Sequence, residues 1–359
     1  MKTAKTYLRV PALCTLLALV VDPAYRAVLS TALAAGYSER FFFAATTLLI
    51  HTLLYVSING FFFSAEAFGW FESYRFERKP YQRPTTTLLL RTWGEAFVSQ
   101  VLTGPFVVWY IYLAFVHCGM PGLQSPLPSA KSMFLSFVVA RPPTPQQSAA
   151  PHSSPIIVTR SHVRLGCGRG VPRLRGTVAT HRSVAHPASE RAAPPQAHLF
   201  NDFFFYWAHR LFHAKSLYKH VHKQHHSYNG SIGFAAEFAA PLEQVIANQL
   251  PSIGGCLFFG AHPIVFWVWL AARLQQTYEG HSGFCFYGTL LHRVGLTNSE
   301  GCAYHDYHHS GNRGNFGSQW LDWSFGTMDS WLALGGTEGY IEQCRKIREA
   351  QVAGGGKSD

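Results

Sequence analysis

The chain is poor in cysteine and methionine. Its seven cysteines form no CxxC pair and follow no regular spacing, which argues against a disulfide scaffold and against a thiolate metal site. Only 4 Met accompany 28 Phe, while apolar residues make up 48% of the sequence. This balance suits lipid-facing helices better than a compact soluble core.

The N-terminal region lacks the small residues of a signal-peptide cleavage motif. Basic residues and an apolar run at 10–21 imitate the first two regions of a signal peptide, but Asp22 and Pro23 come next. Residues 1–40 are therefore predicted to form an uncleaved amphipathic or short membrane segment.

Several apolar runs are long enough to cross a bilayer. Residues 41–63 form a nearly uncharged stretch, and residues 96–116 form a second one. The run at 242–274 is broken by glycines and Pro263, which predicts a helical hairpin in the membrane; a buried pair of soluble core helices is the alternative. The predicted fold is an all-α membrane protein with about four to five transmembrane helices. Residues 41–140 supply the first of these spans.

Eight histidines fall into three tight clusters with the patterns HxxxH, HxxHH and HxxHH. The members are His209 and His213, then His222, His225 and His226, then His305, His308 and His309. Neutral imidazole is the side chain best suited to binding iron, copper or zinc, and eight of them are enough for two metal ions. The sequence therefore predicts a metal site.

Helical geometry brings the members of a cluster together. At about 100° per residue, His209 and His213 lie within about 40° of each other, so each cluster is expected to aim at one point. On one unbroken helix the second cluster would point to the opposite side, so a shared centre requires a break between Ala214 and Tyr218. His220 would stay in register with His209, but its basic surroundings favour a surface histidine.

The loop between the first two apolar spans is basic. It holds Arg75, Arg78, Lys79, Arg83 and Arg91. The positive-inside rule places such a loop in the cytosol. Counting crossings from there brings all three histidine clusters to the cytosolic face, which predicts one site assembled at the membrane surface.

Residues 141–197 differ in composition from the rest of the chain. They contain eight Arg, nine Pro and no aromatic residue, with Glu190 as the one acid, so they are expected to be disordered. They separate two apolar fragments, MFLSFVVA and HLFNDFFFYWAHR, which joined directly make one transmembrane helix leading into His209. We interpret the segment as an insertion, with a retained intron as one origin. A basic loop for nucleic acid or anionic lipid is the competing interpretation.

The residues around the clusters resemble a known family. The runs FYWAHRLFH, LYKHVHKQHHSYNGSIGFAAEFAAPLE, EGHSG, HDYHH, NFG and DWSFGT are similar to the fatty acid hydroxylase and sterol desaturase superfamily, most of all to its sterol C4-methyl oxidase branch. The resemblance covers residues 41–327 apart from the insert. It implies a catalytic domain at 198–335, followed by a tail at 336–359.

The resemblance also implies a chemistry. Members of the family hold two iron ions, use O₂ as co-substrate and take electrons from cytochrome b5 or a reductase in the endoplasmic reticulum membrane. By position, the iron ligands would be the eight clustered histidines and a ninth, His281 in the HSG stretch: His209, His213, His222, His225, His226, His281, His305, His308 and His309. The partners implied are a lipid or sterol from the bilayer and an electron donor, with no nucleic acid.

Some residues around the clusters leave alternatives open. Asp306 and Asp322 are candidates to hold the ligating imidazoles, with solvated loop acids or helix caps as the other interpretation. His262 and His292 are left out of the predicted site. The aromatic residues 203–207 either line a lipid path or, more simply, anchor their helix at the membrane interface.

The substrate is less well defined than the chemistry. Ala240 occupies a position where the C4-methyl oxidase branch has a histidine, and the run FCFYGTLLHRVGL resembles cholesterol 25-hydroxylase-like proteins. Sterol C4-methyl oxidation is the first choice, with 25-hydroxylation, desaturation and fatty acyl hydroxylation open. A zinc hydrolase would require a glutamate at the position of Arg210. A metal transporter would place its histidines within the bilayer.

Deleting residues 141–197 is expected to leave metal binding and activity intact or improved, because the segment cannot bury a core and its removal rejoins one helix. Metal content and turnover of the deletion variant are compared with those of the full chain. Replacement of the segment by a Gly/Ser linker of equal length controls for chain length. Loss of both metal and activity on deletion would contradict the interpretation as an insertion.

Overall fold

The computed structural model describes residues 4–137 and 196–355. Within these two ranges the chain is helical and has no β-strand, apart from an isolated bridge between Arg75 and Phe284. The α-helices are α1 Ala4–Ala34, α2 Glu39–Ala67, α3 Thr86–Phe97, α4 Gly104–His117, α5 Ala130–Phe137, α6 Gln196–Phe212, α7 Lys215–Val221, α8 Pro241–Glu243, α9 Leu250–Phe258, α10 Pro263–His281, α11 Leu290–Val294, α12 Ser299–Gly311, α13 Gln319–Ser324, α14 Asp329–Leu334 and α15 Gly336–Gly355. Short 3₁₀-helices lie at Glu72–Tyr74, Pro80–Gln82, His225–Ser227 and Gly233–Glu237, and π-helices at Val98–Thr103 and Gln244–Gln249. The predicted all-α class is confirmed.

Among the described residues, three helical stretches are long and apolar enough to cross a membrane. They are Ala12–Ala34, Glu39–Ala67 and Pro80–His117. The second and third contain the two spans predicted at 41–63 and 96–116. Within the third, the helix is continuous from Thr86 to His117, because α3 passes through a π-helical segment into α4. The chain is therefore built as a helical membrane protein.

The N-terminal helix is longer than the short segment predicted for residues 1–40. Helix α1 has 31 residues, and the 23 residues of Ala12–Ala34 are a candidate membrane span. Asp22 does not end this helix, because Arg26 one turn later donates to its carboxylate at 2.8 Å. Pairing the two charges reduces the cost of placing an acid in an apolar helix.

The predicted hairpin at 242–274 is present as two helical arms. The first arm runs from α8 through a π-helical segment into α9, and the chain reverses at Gly260, whose φ is 60°. Helix α10 then begins at Pro263 and continues to His281, seven residues beyond the predicted end. This extension carries His281 to the other histidines.

Helices α2 and α10 lie side by side and run in the same direction. The rings of Phe43 and Phe266 stack with their centroids 5.6 Å apart. Twelve residues further along each helix, Tyr55 and Tyr278 are also 5.6 Å apart. Trp267 Nε1 donates to Thr47 Oγ1 at 2.9 Å between these two contacts. The C-terminal ends of α2 and α10 therefore lie at the same end of the bundle.

Most of the predicted insert lies outside the described residues. Helix α6, which follows it, begins at Gln196, and Ala197 is buried against Gly255 of α9. Ala197 is thus part of the packed fold, although the insert was predicted to end there. A deletion made to test the insert is accordingly best ended at residue 195.

Candidate metal centre

Four chain segments bring nine histidines together. His209 lies in the last turn of α6 and His213 just after it, His222 caps the C-terminus of α7, and His281 ends α10. His225 and His226 lie in a 3₁₀-helix, and His305, His308 and His309 lie on α12. All nine predicted site residues therefore meet in one place.

The break predicted between Ala214 and Tyr218 is confirmed. Helix α6 ends at Phe212 and α7 begins at Lys215, with Ala214 between them in an extended conformation, φ −62° and ψ 134°. This change of direction lets His222 reach the rings of His209 and His213, whose centroids lie 4.8 and 4.6 Å from its own. The backbone break is what joins the first two clusters.

The nine imidazoles form two groups. In each group the candidate ligand atoms all lie within 4.8 Å of one another. The first group is His209, His213, His222, His226 and His308, and the second group is His225, His281, His305 and His309. His281, the ninth candidate, belongs to the second group.

The expectation that each cluster aims at one point is correct for the first cluster and wrong for the other two. His222 and His226 enter the first group while His225 enters the second. On α12, His308 enters the first group and its neighbour His309 enters the second. Adjacent residues on a helix point about 100° apart, so each HxxHH pattern serves both groups.

Five of the imidazoles are held through Nδ1. Their partners, with the Nδ1-to-oxygen distances, are Phe316 O for His209 (3.0 Å), Glu243 Oε1 for His222 (2.7 Å), Thr277 O for His281 (2.8 Å), Gly314 O for His308 (2.5 Å) and Tyr228 O for His309 (3.0 Å). A carbonyl oxygen can only accept, so Nδ1 carries the proton in the four rings that face carbonyls. Their Nε2 atoms therefore present lone pairs to the interior.

The Nε2 atoms of these groups lie close to one another. His308 Nε2 is 3.2 Å from the Nε2 atoms of both His213 and His226. His305 Nε2 is 2.8 Å from that of His281 and 3.1 Å from that of His309. Within the first group, His209 Nε2 and His222 Nε2 are buried without a hydrogen-bond partner. Converging Nε2 atoms, two of them unpartnered, are compatible with bound metal.

Burial keeps these rings neutral. Burial, with a further contribution from His308 and His222, lowers the pKa of His213 to about 2. Burial also lowers the pKa of His308 to about 4 and that of His209 well below its usual range. Metals bind the neutral imidazole, so the fold holds the rings in their ligating form.

Glu243 is a site residue that the sequence analysis missed. Its Oε1 lies 2.7 Å from His222 Nδ1, and its side chain is almost completely buried. Burial raises the pKa of Glu243 to about 9. Without metal, a neutral carboxyl therefore lies beside the neutral ring of His222. The available signal was one acid two positions after Pro241, at the start of an apolar run. Its sequence separation of 21 from His222 hid the pairing.

The two aspartates predicted as partners of the imidazoles contact other groups. Asp306 receives hydrogen bonds from Arg78, Ser231 and Tyr340. The shortest contacts, those with Arg78 and Tyr340, are 2.7 Å long. Asp306 lies beside His305 on α12, but neighbouring helix positions point in different directions. The direct role predicted for it is wrong; it fixes α12 to the loop after α2 and to α15.

Asp322 acts on the site through a backbone loop. Its Oδ1 accepts from Phe316 N at 2.8 Å and from Thr327 Oγ1 at 2.6 Å, and it does not contact an imidazole. The same loop supplies the carbonyls of Gly314 and Phe316 to His308 and His209. A Cβ on Gly314 would lie 2.4 Å from Thr327 O, so this turn requires glycine. The NFG and DWSFGT runs therefore build the loop that orients two of the rings.

The other histidines considered from sequence lie outside the two groups. His220 is exposed, as its basic surroundings indicated. His262 caps α10, where its Nδ1 accepts from Ile264 N at 3.3 Å. His292 Nδ1 accepts from Gly288 N at 3.1 Å. The exclusion of His262 and His292 from the site is consistent with these contacts.

The aromatic run at 203–207 has mixed roles. Phe203, Phe204 and Trp207 are among the exposed large side chains, as expected for interface anchors. Phe205 lines the cavity described below, and its ring lies 5.3 Å from that of His209. The run is thus divided between exposed side chains and one that lines the cavity, and both interpretations stay predictions.

A cavity of about 330 Å³ adjoins both histidine groups. Its wall includes His209 and His222 of the first group and His225, His281 and His305 of the second. Its other end is apolar and lies among Phe43, Val108, Ile111, Ile253 and Phe266. The cavity thus connects the buried apolar part of the helical bundle with the imidazoles.

The part of the chain that carries the site is similar to a known family. A model of the fatty acid hydroxylase family matches residues 196–327, which include all nine imidazoles, Glu243 and the loop after α12. No solved structure matches the chain significantly.

Curated relatives of this domain carry two kinds of name. Methylsterol monooxygenase 2-2 of Arabidopsis thaliana is 38% identical over 141 residues, which are 38% of this chain and 52% of the relative. Very-long-chain aldehyde decarbonylase GL1-8 of Oryza sativa subsp. indica is 37% identical over 134 residues, which are 36% of this chain and 49% of the relative. The chain spans about half the length of the curated relatives it matches.

The contact between Glu243 and His222 predicts a specific effect on metal retention. Glu243→Ala removes the partner that orients His222, and loss of such a partner weakens metal binding about 10- to 100-fold. Metal per chain is measured by elemental analysis after dialysis against a graded series of chelator concentrations. Glu349→Ala, at an exposed carboxylate on α15, is the control. Equal metal retention by both variants would show that Glu243 does not support the site.

Proposed function

We propose that this chain is a membrane-bound di-iron oxygenase that oxidises an unactivated C–H bond of a lipid. The observation that carries the proposal is the convergence of candidate ligand nitrogens in two groups. The Nε2 lone pairs of His209 and His308 point into the first group and those of His281 and His309 into the second, and burial opposes their protonation. A cation in each group would accept these lone pairs, with His209, His213, His222, His226 and His308 as ligands of one ion and His225, His281, His305 and His309 as ligands of the other.

Iron is favoured over the other metals that imidazole accepts. Imidazole binds zinc, copper and iron alike, so ligand type alone does not decide. A zinc hydrolase normally has a general-base glutamate beside its first histidine, and Arg210 stands there. The matching family model is named for hydroxylation, an oxidation that a redox metal such as iron supports and zinc does not. Two iron ions bound here would supply the activation of O₂ and the oxidation of carbon.

The residues of this chain would orient the reactants. The Nδ1 contacts of His209, His222 and His308 fix the ring planes, so the ligand geometry does not depend on the metal alone. Burial of the groups excludes water, which protects a strong oxidant from side reactions. The apolar end of the cavity provides the surface on which a lipid would pack.

A sterol is the substrate class that we propose, with oxidation at a C4-methyl group. Two relatives named methylsterol monooxygenase support this choice, because they are 38% identical over 141 residues and 35% identical over 151 residues. Relatives named very-long-chain aldehyde decarbonylase match with similar identity and support a second candidate, the conversion of a long-chain aldehyde. Both candidates place an apolar lipid in the same cavity.

The location that we propose is the endoplasmic reticulum membrane, with the histidine groups facing the cytosol. The basic loop after α2 lies against the site, since Arg78 Nη2 donates to Ser231 O at 2.8 Å and Phe76 N donates to Gly283 O at 2.8 Å. The groups therefore lie on the side of this loop, which the positive-inside rule assigns to the cytosol. An electron donor there, cytochrome b5 or a reductase, would reach the site without crossing the membrane.

Elemental analysis of the purified chain is expected to find two iron ions. His281→Ala removes one of four imidazoles from the second group and none from the first, so it should lower the content towards one iron per chain. His220→Ala, at an exposed histidine outside both groups, should retain two. One zinc per chain would support a hydrolase, and loosely exchanging metal would support transport; either result would overturn the proposal.

Lipid profiling of cells that lack the protein is expected to identify the substrate. Loss of sterol C4-methyl oxidation should cause 4-methyl sterols to accumulate, because their first oxidation step is missing. Re-expression of the wild-type chain should reverse the accumulation, whereas re-expression of His308→Ala should not. Accumulation of long-chain aldehydes with a normal sterol profile would favour the second candidate.

A further inference from the structure

A polar cluster lies in the wall of the cavity, away from the imidazole groups. Glu237, at the end of the 3₁₀-helix Gly233–Glu237, accepts at Oε1 from His51 Nε2 at 3.1 Å and from the hydroxyl of Tyr278. Gln100 Nε2 lies 3.4 Å from Glu237 Oε2. Four separate segments thus contribute to one cluster, and all four side chains line the cavity.

The carboxylate of Glu237 retains capacity to accept another hydrogen bond. A carboxylate offers about four lone-pair positions, and the named contacts supply three donors. Two of the donors are on Oε1, while Oε2 receives only the long contact from Gln100. The side chain of Glu237 is 13% exposed and that of His51 is 28% exposed. A donor that enters the cavity can therefore reach Oε2.

Glu237 is held as an anion. Burial alone raises the pKa of its carboxyl, but the charge of His51 and the hydrogen bonds from His51, Tyr278 and Gln100 outweigh burial and bring the pKa below its usual value. An ionised carboxylate only accepts hydrogen bonds. The cluster is therefore matched to a group that donates, such as a hydroxyl.

The polar cluster lies between the apolar end of the cavity and the second histidine group. Tyr278 precedes His281 by three residues on α10, which is about 4.5 Å along the helix axis. Phe266 and Leu270 line the cavity further from His281 on the same helix, and Phe43 lines it beside Phe266. The order along the cavity is thus an apolar end, then the carboxylate cluster, then the second histidine group.

We propose that Glu237, positioned by His51 and Tyr278, is the anchor for a hydroxyl group of the lipid substrate. This inference rests on the proposed function, because it concerns the substrate of the same cavity. A hydroxyl bound at Oε2 sits about one helical turn from the second histidine group, so the carbons presented for oxidation are those within a few bonds of the hydroxyl-bearing carbon. The apolar remainder of the lipid extends towards Phe43 and Phe266.

The test compares lipids that differ only in the hydroxyl. Cholesterol is compared with cholest-5-ene, and octadecan-1-ol with octadecane, by equilibrium binding to the full chain in detergent. A hydrogen bond to a charged acceptor is worth about 10- to 100-fold in affinity. The hydroxylated member of at least one pair is expected to bind more tightly by about this factor. If neither pair shows the preference, the proposal is overturned.

Variants of Glu237 separate an anchor from a structural residue. Glu237→Gln keeps the shape but removes the charge and should reduce the hydroxyl preference several-fold, and Glu237→Leu should abolish it. A purely structural role would weaken both members of a pair equally, and an unchanged preference in both variants would also overturn the proposal. Glu349→Gln, at an exposed carboxylate, should behave as the wild type.

The measurement also distinguishes failure of the anchor from failure of the proposed function. Binding requires no turnover, so a chain without iron still reports on Glu237. Iron content is measured on the same samples and is expected to stay unchanged in Glu237→Gln, because Glu237 contacts no imidazole of either group among the described residues. If Glu237→Gln loses the hydroxyl preference and retains two irons, the result supports the anchor. If the wild-type chain holds two irons but shows no hydroxyl preference, the anchor alone is overturned.

Discussion

The structure depends on which nitrogen of each imidazole faces the interior. Backbone carbonyls accept hydrogen bonds from Nδ1 of His209, His281, His308 and His309, so their Nε2 lone pairs face the interior. These four Nε2 atoms carry no proton and cannot hydrogen-bond one another. The surrounding fold must therefore supply enough packing energy to hold the rings in place before metal binds.

That packing is supplied by contacts at a distance from the rings. The buried ion pair between Arg78 and Asp306, completed by Tyr340, joins the loop after α2, helix α12 and helix α15. Removing one partner of this pair would leave an uncompensated buried charge, so loss of either side chain would be strongly destabilising. Asp322 fixes the loop after α12 through a hydrogen bond from Phe316 N. The imidazoles are thus positioned by a buried ion pair and by hydrogen-bonded backbone turns.

Local spacing was sufficient to predict the apolar helices, the histidines and the break at Ala214, because each depends on helical periodicity over a few residues. The division of each HxxHH pattern between two groups was not predictable. It depends on where His222 caps α7 and how the 3₁₀-helix after it turns, which are set by tertiary packing. Glu243 was missed for the same reason, since its partner lies on a different element. The partners of Asp306 were not predictable for the same reason, since Arg78, Ser231 and Tyr340 lie on other elements.

Helix α10 links the cavity to the metal centre, because its residues line the cavity and its last residue is His281. Its first half packs on α2 through Phe266 and Trp267, and its last residue is His281. Since an α-helix is stiff over this length, a shift of the aromatic contacts would move His281 by a similar amount. The other ligands of the second group, His225, His305 and His309, lie on the two segments that also carry His226 and His308 of the first group. The packing of α10 therefore sets the position of His281 relative to the rest of its group, so changes in the buried aromatic core of the bundle would affect the metal centre through this residue.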